Sequence, residues 1–474
     1  MLAAEWKGSP LAMGTHYAHS SFNLVPNTAA VVLIAALTVF VDVEMAGKIV
    51  LTLLVLALVL GLYRLLRRVD SDHPFRWVGF LLVFNFFLQA GFINYVLAVT
   101  IFPYALCAIM DTSVRQSRYV LAVFFWLLVL EFCHVMVWSA FIVVVSTMAL
   151  LDKRIDKSTK IWLITVVTLS ALPILPAILQ ESTSGVWELY GEVIGKFKAI
   201  GRQLFFFHRY LPVRAFLPFS FLNVGVFILL GYGAVVSARH ARIGSPPLMR
   251  AAMILFLFVL LFPFGHVGDY FYIDVRWLLP AVIVFLASVS FKQTSRRSEM
   301  VFVLAALVVA VGCSYNFKKF NDVAKDAYAV ILHEYRSPGS PLVISRGFEE
   351  EMDQEPAARV SGFLSPFRRL HYYAHMEVGR QEFLPLFQTA SYRWKADEGT
   401  RRLRDVDSIV TYDFSRERTI GMLRTNLVSF SQMFDRVIIV GTPETHSKFS
   451  AVLSEQFEYG EDRGIVRVLF RRHE

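Results

Sequence analysis

Long apolar runs that end in basic residues dominate this sequence. The run Ile49–Leu66 is the clearest, because Arg64, Arg67 and Arg68 stand at its C-terminal end. A helix of about 20 apolar residues crosses a bilayer, and Lys and Arg collect at its cytoplasmic end. We therefore predict a membrane crossing here, with its basic end in the cytoplasm.

Similar runs follow, most of them separated by short loops. They are Phe75–Leu88, Phe92–Met110, Tyr119–Glu131, Val135–Leu151, Ile161–Leu179, Phe216–Val236, Ala251–Phe264, Val275–Phe291 and Met300–Ser314. Together with Ile49–Leu66 they predict about ten crossings, and every short basic loop then falls on the cytoplasmic side. The chain is 55% hydrophobic, more than a soluble protein of this length carries. We predict a mainly α, polytopic transmembrane helical bundle over residues 27–316.

The N-terminal segment, residues 1–26, is polar, and the apolar run after it, Ala29–Val43, has two interpretations. It either crosses the membrane or lies on the outer surface as an interfacial helix. Its short length and the acidic break at Asp42 and Glu44 favour the surface position. Both interpretations leave the later crossings unchanged. The first residues contain no apolar run of signal-peptide type, so we expect no cleavable leader.

Residues 180–214 form a long outer loop with an amphipathic pattern. Trp187, Tyr190, Ile194 and Phe197 recur at helical spacing and predict an interfacial helix. Its basic residues, which we expect to bind anionic lipid or a substrate phosphate, are Lys196, Lys198, Arg202 and Arg209.

Residues 317–474 have a different composition, with frequent charges and no run that could span a bilayer. Leu342–Ser345, Ser408–Tyr412 and Arg436–Val440 are predicted strands, and Thr442-Pro443 predicts a helix start. A hairpin of Phe457–Tyr459 with Ile465–Phe470 follows. We predict a small α/β domain outside the cytoplasm. The single glycine at Gly441 argues against a phosphate-binding loop.

Charge, cysteine content and sequence motifs limit the partners, the cofactors and the source that we expect. The net charge of +9 is accounted for by the short basic loops, so no nucleic-acid partner is expected. Cys107, Cys133 and Cys313 all lie in apolar runs and predict free thiols. No metal site is predicted, although a divalent ion stays open as a cofactor. The absence of Asn-x-Ser/Thr favours a bacterial source, and hence the inner (cell) membrane.

Ionisable residues at membrane depth are costly and are the first candidates for a functional site. Two lie in the break between paired runs and four surround the next outer turn: Glu131, His134, His266, Asp269, Asp274 and Arg276. Arg276 begins a crossing at the outer face, where its guanidinium could clamp a lipid phosphate. The alternatives are a polar interfacial turn for Glu131 and His134, and for Arg276 an ion pair with Asp274 or a side chain that extends to the lipid headgroups.

Two segments carry a resemblance to a known family. Asn23–Arg68 is similar to the first outer-loop helix and second crossing of the GT-C superfamily of integral-membrane glycosyltransferases. Gly268–Ala287 (GDYFYIDVRWLLPAVIVFLA) resembles their late crossing that begins with an arginine, and His371–Phe387 resembles the tail of some bacterial members. The likeness covers most of the chain in architecture and contains no strict motif.

The resemblance implies transfer of a sugar from a polyprenyl-phosphate donor to a cell-envelope acceptor at the outer face. A carboxylate would take the acceptor proton, and Arg276 with the basic loop Lys196–Arg209 would hold the leaving phosphate. In that family the catalytic acid ends a first crossing, and here only Glu5 stands at that place. We expect a truncated N-terminus, or an acid that is lost or replaced by Asp269 or Asp274.

Two other functions stay open from the sequence. A protein of the same fold could act without catalysis, as a scaffold or assembly factor in envelope polysaccharide biogenesis. A transporter is the third, although transporters show internal repeats that this chain lacks beyond two short adjacent units. The sequence leaves open whether the chain is catalytically active.

Overall fold

The structure is a computed structural model of the 474-residue chain. It describes residues 17–19, 29–41, 43–83, 93–110, 116–153, 155–172, 187–189, 231–232, 235, 238–261, 264–267, 270–271, 274–291, 299–305, 307–308, 311, 329–330, 333–334, 341–344, 392–394, 424, 431, 435–440, 443–463 and 466–472. These residues are mainly helical, with a small region of strands towards the C-terminus.

The chain divides into two compact units. The helical unit comprises Leu24–Phe207 and Ser220–Cys313. The terminal unit comprises Met1–Asn23, His208–Phe219 and Ser314–Glu474, so the N-terminal segment belongs with the C-terminal residues.

The helices and strands have the following bounds. The helices are α1 (Ala29–Leu37), α2 (Val43–Val69), α3 (Gly79–Leu82), α4 (Ile93–Met110), α5 (Gln116–Cys133), α6 (Val135–Leu151), α7 (Lys157–Ala171), α8 (Pro246–Leu261), α9 (Leu278–Ser288) and α10 (Pro443–Leu453). The strands are β1 (Tyr17–His19), β2 (Trp187–Leu189), β3 (Ala241–Ile243), β4 (Phe264–Val267), β5 (Tyr270–Phe271), β6 (Val289–Phe291), β7 (Pro341–Ile344), β8 (Tyr392–Trp394), β9 (Arg436–Val440), β10 (Phe457–Arg463) and β11 (Val466–Arg471).

Helices α2 and α4 pack side by side and run in the same direction. The Thr100 hydroxyl donates to the Leu54 carbonyl (3.4 Å), and the Tyr104 hydroxyl donates to the Ala57 carbonyl (2.9 Å). Gly61 permits the close approach, because a Cβ there would lie 2.6 Å from the Tyr104 ring. The first turns of α2 and α4 therefore lie at the same end of the unit.

Helix α1 is a short apolar helix at that end. Its nine residues span about 14 Å, less than half of a bilayer's hydrocarbon core. The Ala30 amide donates to Asn94 Oδ1 (2.8 Å) in the first turn of α4, while Phe40, just beyond α1, is 84% exposed. The run therefore bends after Leu37 instead of continuing as one helix to Val43.

The opposite end of the helical unit is closed around His73, which is fully buried. Its Nδ1 accepts from the Phe75 amide (3.2 Å), and its Nε2 lies 3.3 Å from the Leu286 carbonyl in the last turn of α9. A neutral ring with hydrogen on Nε2 satisfies both contacts. Asp70 Oδ2 accepts from the Phe291 amide (2.9 Å), which ties the end of α2 to β6.

Arg76 and Trp77 add a second connection at this His73 end. Both donate to one carboxylate oxygen of Glu299, Arg76 Nε at 2.8 Å and Trp77 Nε1 at 3.3 Å. Residues 71–78 consequently form turns, and the predicted crossing Phe75–Leu88 begins as a helix only at Gly79.

Several predicted runs coincide with helices. The predicted Phe92–Met110 and Val135–Leu151 correspond to α4 and α6, and α7 begins earlier than Ile161 because Asp156 caps it by accepting from the Thr159 amide (2.9 Å). Among the described residues, α2 (over Met45–Val69) and α4 are long and apolar enough to cross a membrane. Helices α6, α8 and α9 are apolar but shorter.

Cys107 and Cys133 are buried free thiols, as predicted.

One predicted helix segment is a strand. Trp187–Leu189, where helical spacing predicted an interfacial helix, forms β2 and pairs antiparallel with β4, which in turn pairs with β5. Backbone pairing with Phe264–Val267 replaces the local helical bonds. The rest of the predicted interfacial helix lies outside the described residues.

The terminal unit contains a four-stranded sheet in the order β10-β11-β9-β7. The final hairpin and the strand Arg436–Val440 are as predicted, and β7 pairs parallel with β9. Val437, Ile438, Val468 and Leu469 are buried in it. Strand β1 pairs with β8 in a separate two-stranded sheet, with Tyr17 opposite Trp394. The predicted strand Ser408–Tyr412 lies outside the described residues.

Candidate functional site

The backbone of Arg276 is held by three helices of the helical unit. It belongs to a single 3-10 turn, Asp274–Trp277, that leads into α9. The Tyr95 hydroxyl of α4 donates to the Arg276 carbonyl (2.8 Å), and Trp277 Nε1 donates to Ser139 Oγ of α6 (2.8 Å). The Trp277 ring also packs against Phe258 of α8. The backbone from which the Arg276 guanidinium extends is therefore fixed in position.

His134 is the single residue between α5 and α6. Its backbone is extended, with φ −166° and ψ 122°, and its Nδ1 accepts from the Met136 amide (3.2 Å) as the N-terminal cap of α6. The Tyr95 ring lies edge-on to the imidazole, with ring centroids 5.2 Å apart. His134 and Arg276 are 4% and 5% exposed. We call this end of the unit the His134 end.

Arg276 Nη1 lies 3.2 Å from His134 Nε2, within hydrogen-bond distance. Burial beside a cation favours the neutral imidazole, which carries hydrogen on only one nitrogen. If Nδ1 accepts from Met136, then Nε2 carries the hydrogen and faces the guanidinium N–H. If Nε2 accepts from Arg276, then Nδ1–H faces the Met136 N–H. In either tautomer two donors oppose each other.

His73 differs from His134 in this respect. In one neutral tautomer of His73, both ring nitrogens have a complementary hydrogen-bond partner. An oxygen with free lone pairs between Arg276 and the His134 Nε2–H would accept from both groups. Phosphate and carboxylate oxygens meet that requirement, and bonds from a guanidinium to them are charge-assisted. The His134 end can therefore take an anionic oxygen ligand.

Glu131 and Trp138 flank His134 by about one turn on either side. Glu131 lies in the last turn of α5 and is 6% exposed, and Trp138 lies in the first turns of α6 and is 8% exposed. Within the described part of the chain, neither the Glu131 carboxyl nor the Trp138 indole N–H has a hydrogen-bond partner. The two sides of the break thus offer one acceptor group and one donor group.

The other predicted site residues are described only in part. His266 lies in β4 with its backbone opposite Glu188 and Phe271, and Asp274 begins the 3-10 turn of Arg276. The side chains of His266 and Asp274 lie outside the description. The remaining candidates, Asp269, Lys196, Lys198, Arg202 and Arg209, lie wholly outside the described residues.

Tyr95 and Trp138 were not predicted as site residues. Aromatic residues near the ends of apolar runs are usual in membrane helices, so neither stood out in the sequence. Among the described residues, no group of three or more His, Cys, Asp or Glu side chains is arranged to hold a metal ion.

Comparisons with family models, with curated proteins and with solved structures found no match for this chain.

Proposed function

We propose that this chain is a multi-pass protein of the bacterial cell membrane with its terminal unit outside the cytoplasm. Support comes from the large apolar side chains that the helices expose, such as Leu53 and Leu60 of α2, Phe125 of α5 and Ile164 of α7. Hydrocarbon is the solvent in which such exposure carries no penalty. The basic residues Arg67 and Arg68 end α2 and orient it.

The pairing of β1 with β8 supports an even number of crossings. The two strands come from opposite ends of the chain and must lie on one side of the membrane. Because α1 is too short to cross, the crossings lie between α2 and the terminal unit. The ten predicted runs from Ile49 to Ser314 fit this parity, with α1 on the outer surface.

We further propose that the His134 end binds the phosphate of a polyprenyl-phosphate sugar, and that the protein transfers the sugar to a cell-envelope acceptor. The observation that carries this proposal is the contact between Arg276 and His134, where two N–H donors meet and both could donate to one anionic oxygen. The tyrosine and tryptophan bonds that fix the Arg276 backbone prepare the guanidinium for that ligand.

In this function Arg276 and His134 stabilise the negative charge that develops on the leaving phosphate. The acceptor hydroxyl attacks the anomeric carbon from the opposite face, so the sugar is transferred with inversion. A carboxylate takes the proton of that hydroxyl. Asp269 and Asp274 are the candidates that the sequence offers for this carboxylate. Basic residues of the 180–214 loop would add to the positive charge around the donor phosphate.

Binding to the full chain in lipid nanodiscs tests the phosphate site. Polyprenyl phosphate should bind, whereas uncharged polyprenol of the same length should bind much more weakly. R276Q should weaken phosphate binding roughly 10- to 100-fold, the loss of a charge-assisted pair of hydrogen bonds. R76Q is the matched control, because Arg76 is paired with Glu299 at the opposite end of the unit.

Transfer is tested by release of polyprenyl phosphate from a panel of polyprenyl-phosphate hexoses in the presence of envelope glycan extract. Equal affinity of wild type for polyprenol and polyprenyl phosphate would refute the phosphate site. Tight phosphate binding without any sugar release would refute transfer and leave a lipid-binding scaffold as the function.

A further inference from the structure

We propose that Glu131 is the proton acceptor of the transfer reaction, in place of an acid on an outer loop. This inference rests on the proposed function, and it concerns a group that the phosphate site itself does not use. Three observations carry it: the environment of the carboxyl, its position one turn before His134, and a buried donor group without an acceptor on the other side of the same break.

The environment of Glu131 is unusual for a buried carboxyl. A largely buried carboxylate without a partner loses solvation and gains no hydrogen bond in return. Buried Glu334 gains one, because Arg436 donates to it, and partly exposed Glu299 accepts from Arg76. Within the described residues Glu131 has no such partner. Its position at the C-terminal end of α5 adds the unfavourable end of the helix dipole. No hydrogen bond or ion pair within the described residues therefore accounts for a carboxyl at this place.

The position of Glu131 is set by the geometry of the break. The His134 amide still donates to the Leu130 carbonyl (2.7 Å), so the helical path continues as far as His134. His134 itself has extended backbone angles, so Glu131 lies in the last helical turn before the residue whose imidazole contacts Arg276. The carboxyl and the imidazole thus belong to the same break between α5 and α6. A donor phosphate at Arg276 and His134 would place its sugar within reach of this carboxyl.

Trp138 supplies a complementary group on the other side of the break. Its buried indole N–H has no acceptor among the described residues. An incoming hydroxyl group both donates and accepts. It can donate its proton to Glu131 and accept from Trp138, which would position the oxygen for attack. A sugar or other polyhydroxylated acceptor has this chemistry.

The reaction balances with these groups alone. The acceptor oxygen forms a bond to the anomeric carbon as the bond from that carbon to the phosphate oxygen breaks. The electron pair of the broken bond stays on the phosphate, which Arg276 and His134 hold. The acceptor proton moves to a carboxylate oxygen of Glu131 and later leaves to solvent. No oxidant or further reactant is required.

The test uses the full chain in nanodiscs with the hexose donor that wild type consumes fastest. E131Q should lower the single-turnover transfer rate at least 100-fold, the usual contribution of a general base. Its affinity for polyprenyl phosphate should stay within about threefold of wild type, and E131D should recover part of the rate. E299Q, which alters a carboxyl at the opposite end, is the matched control and should transfer normally.

The reaction with azide distinguishes a variant that has lost its general base from a variant that has lost its structure. Azide attacks without giving up a proton, so E131Q should form the glycosyl azide as fast as wild type does. Transfer by E131Q at the wild-type rate would overturn this inference alone, as would a slow azide reaction in a variant that still binds donor. An inert wild type would overturn the proposed function and this inference together. If E131Q transfers the sugar but D269N or D274N does not, the aspartate whose replacement abolishes transfer is the base. The assignment of the base to Glu131 is then wrong.

Discussion

The Tyr95 hydroxyl donates a 2.8 Å hydrogen bond to the backbone carbonyl of Arg276, although the two residues stand 181 positions apart in the chain. The bond joins the first turn of α4 to the turn that precedes α9. Tyr95 also presents its ring edge to His134. One buried side chain therefore fixes the relative position of both residues of the proposed phosphate site.

Replacing Tyr95 by Phe should loosen the site as well as the fold. The Arg276 carbonyl would lose its buried donor, at a cost of about 1–3 kcal/mol. We expect a lower thermal unfolding midpoint in detergent and weaker binding of polyprenyl phosphate. Y104F is the control, because it removes an equivalent 2.9 Å bond of the same helix to Ala57. The two variants should lose similar stability, and equal phosphate affinity in both would argue against a positioning role for Tyr95.

Replacing Gly61 by Ala should separate α2 from α4. The new Cβ would lie 2.6 Å from the Tyr104 ring, which its own hydroxyl bond holds in place. Overpacking of this kind costs about 1–3 kcal/mol. G47A lies in the same helix with no atom within 4 Å of its new Cβ, and it should gain up to about 1 kcal/mol from helix propensity. Thermal unfolding of both variants in detergent checks the opposite signs.

The His73 end should lose stability in mild acid. Burial lowers the pKa of His73 from 6.5 to about 4, although the Leu286 carbonyl and Asp70 offset part of the effect. Between pH 6.5 and 4 the unfolded chain binds a proton that the folded chain does not. Stability therefore falls as the pH falls through that window, by about 3 kcal/mol in total. Above pH 6.5 this loss is absent, and below pH 4 it is complete and changes no further.

Thermal unfolding of wild type and H73Q at pH 7.5, 6 and 5 measures this contribution. Glutamine can donate to the Leu286 carbonyl but does not titrate. The midpoint of wild type should fall more steeply with acid than that of H73Q. Parallel curves for the two proteins would count against a buried neutral histidine at this position.

Two ion pairs of the terminal unit, one buried and one exposed, should differ in strength. Arg436 donates to Glu334 at 2.9 Å in a buried setting, whereas Arg467 bonds Asp462 at 2.7 Å on the exposed hairpin. E334Q should lower the free energy of unfolding by roughly 3 kcal/mol. This value lies at the low end for a broken buried ion pair, because Asp435 still contacts Arg436. D462N should cost less than about 1 kcal/mol. Hydrogen exchange of the β9 and β11 amides in the full chain compares them, and equal effects would contradict the assignment.

The sequence predicted the elements whose signal is local. The apolar runs matched α4 and α6 in their bounds, and the strand Arg436–Val440 and the final hairpin also matched. Local signals did not show that the helix within the run Phe75–Leu88 begins only at Gly79, because distant partners decide its start. His73 and Arg76 turn the chain at the start of a predicted crossing because Leu286 and Glu299 receive their hydrogen bonds.

The site was predictable residue by residue but not as an arrangement. His134 stood out as a polar break between apolar runs, and Arg276 stood out as a cation at the outer start of a crossing. Their contact joins positions 142 residues apart, which no periodicity in a single sequence encodes. The opposition of donors follows from the Met136 amide, a backbone group that any residue except proline would supply at that position.

The pairing of Tyr17–His19 with Tyr392–Trp394 constrains how the molecule can be made. The first strand of the chain emerges from the ribosome long before its partner, and every intervening helix must be placed first. A contact of such sequence separation forms late and slowly. The N-terminal strand therefore waits with unpaired backbone groups through most of synthesis, so truncation before residue 392 should leave that segment exposed to proteases.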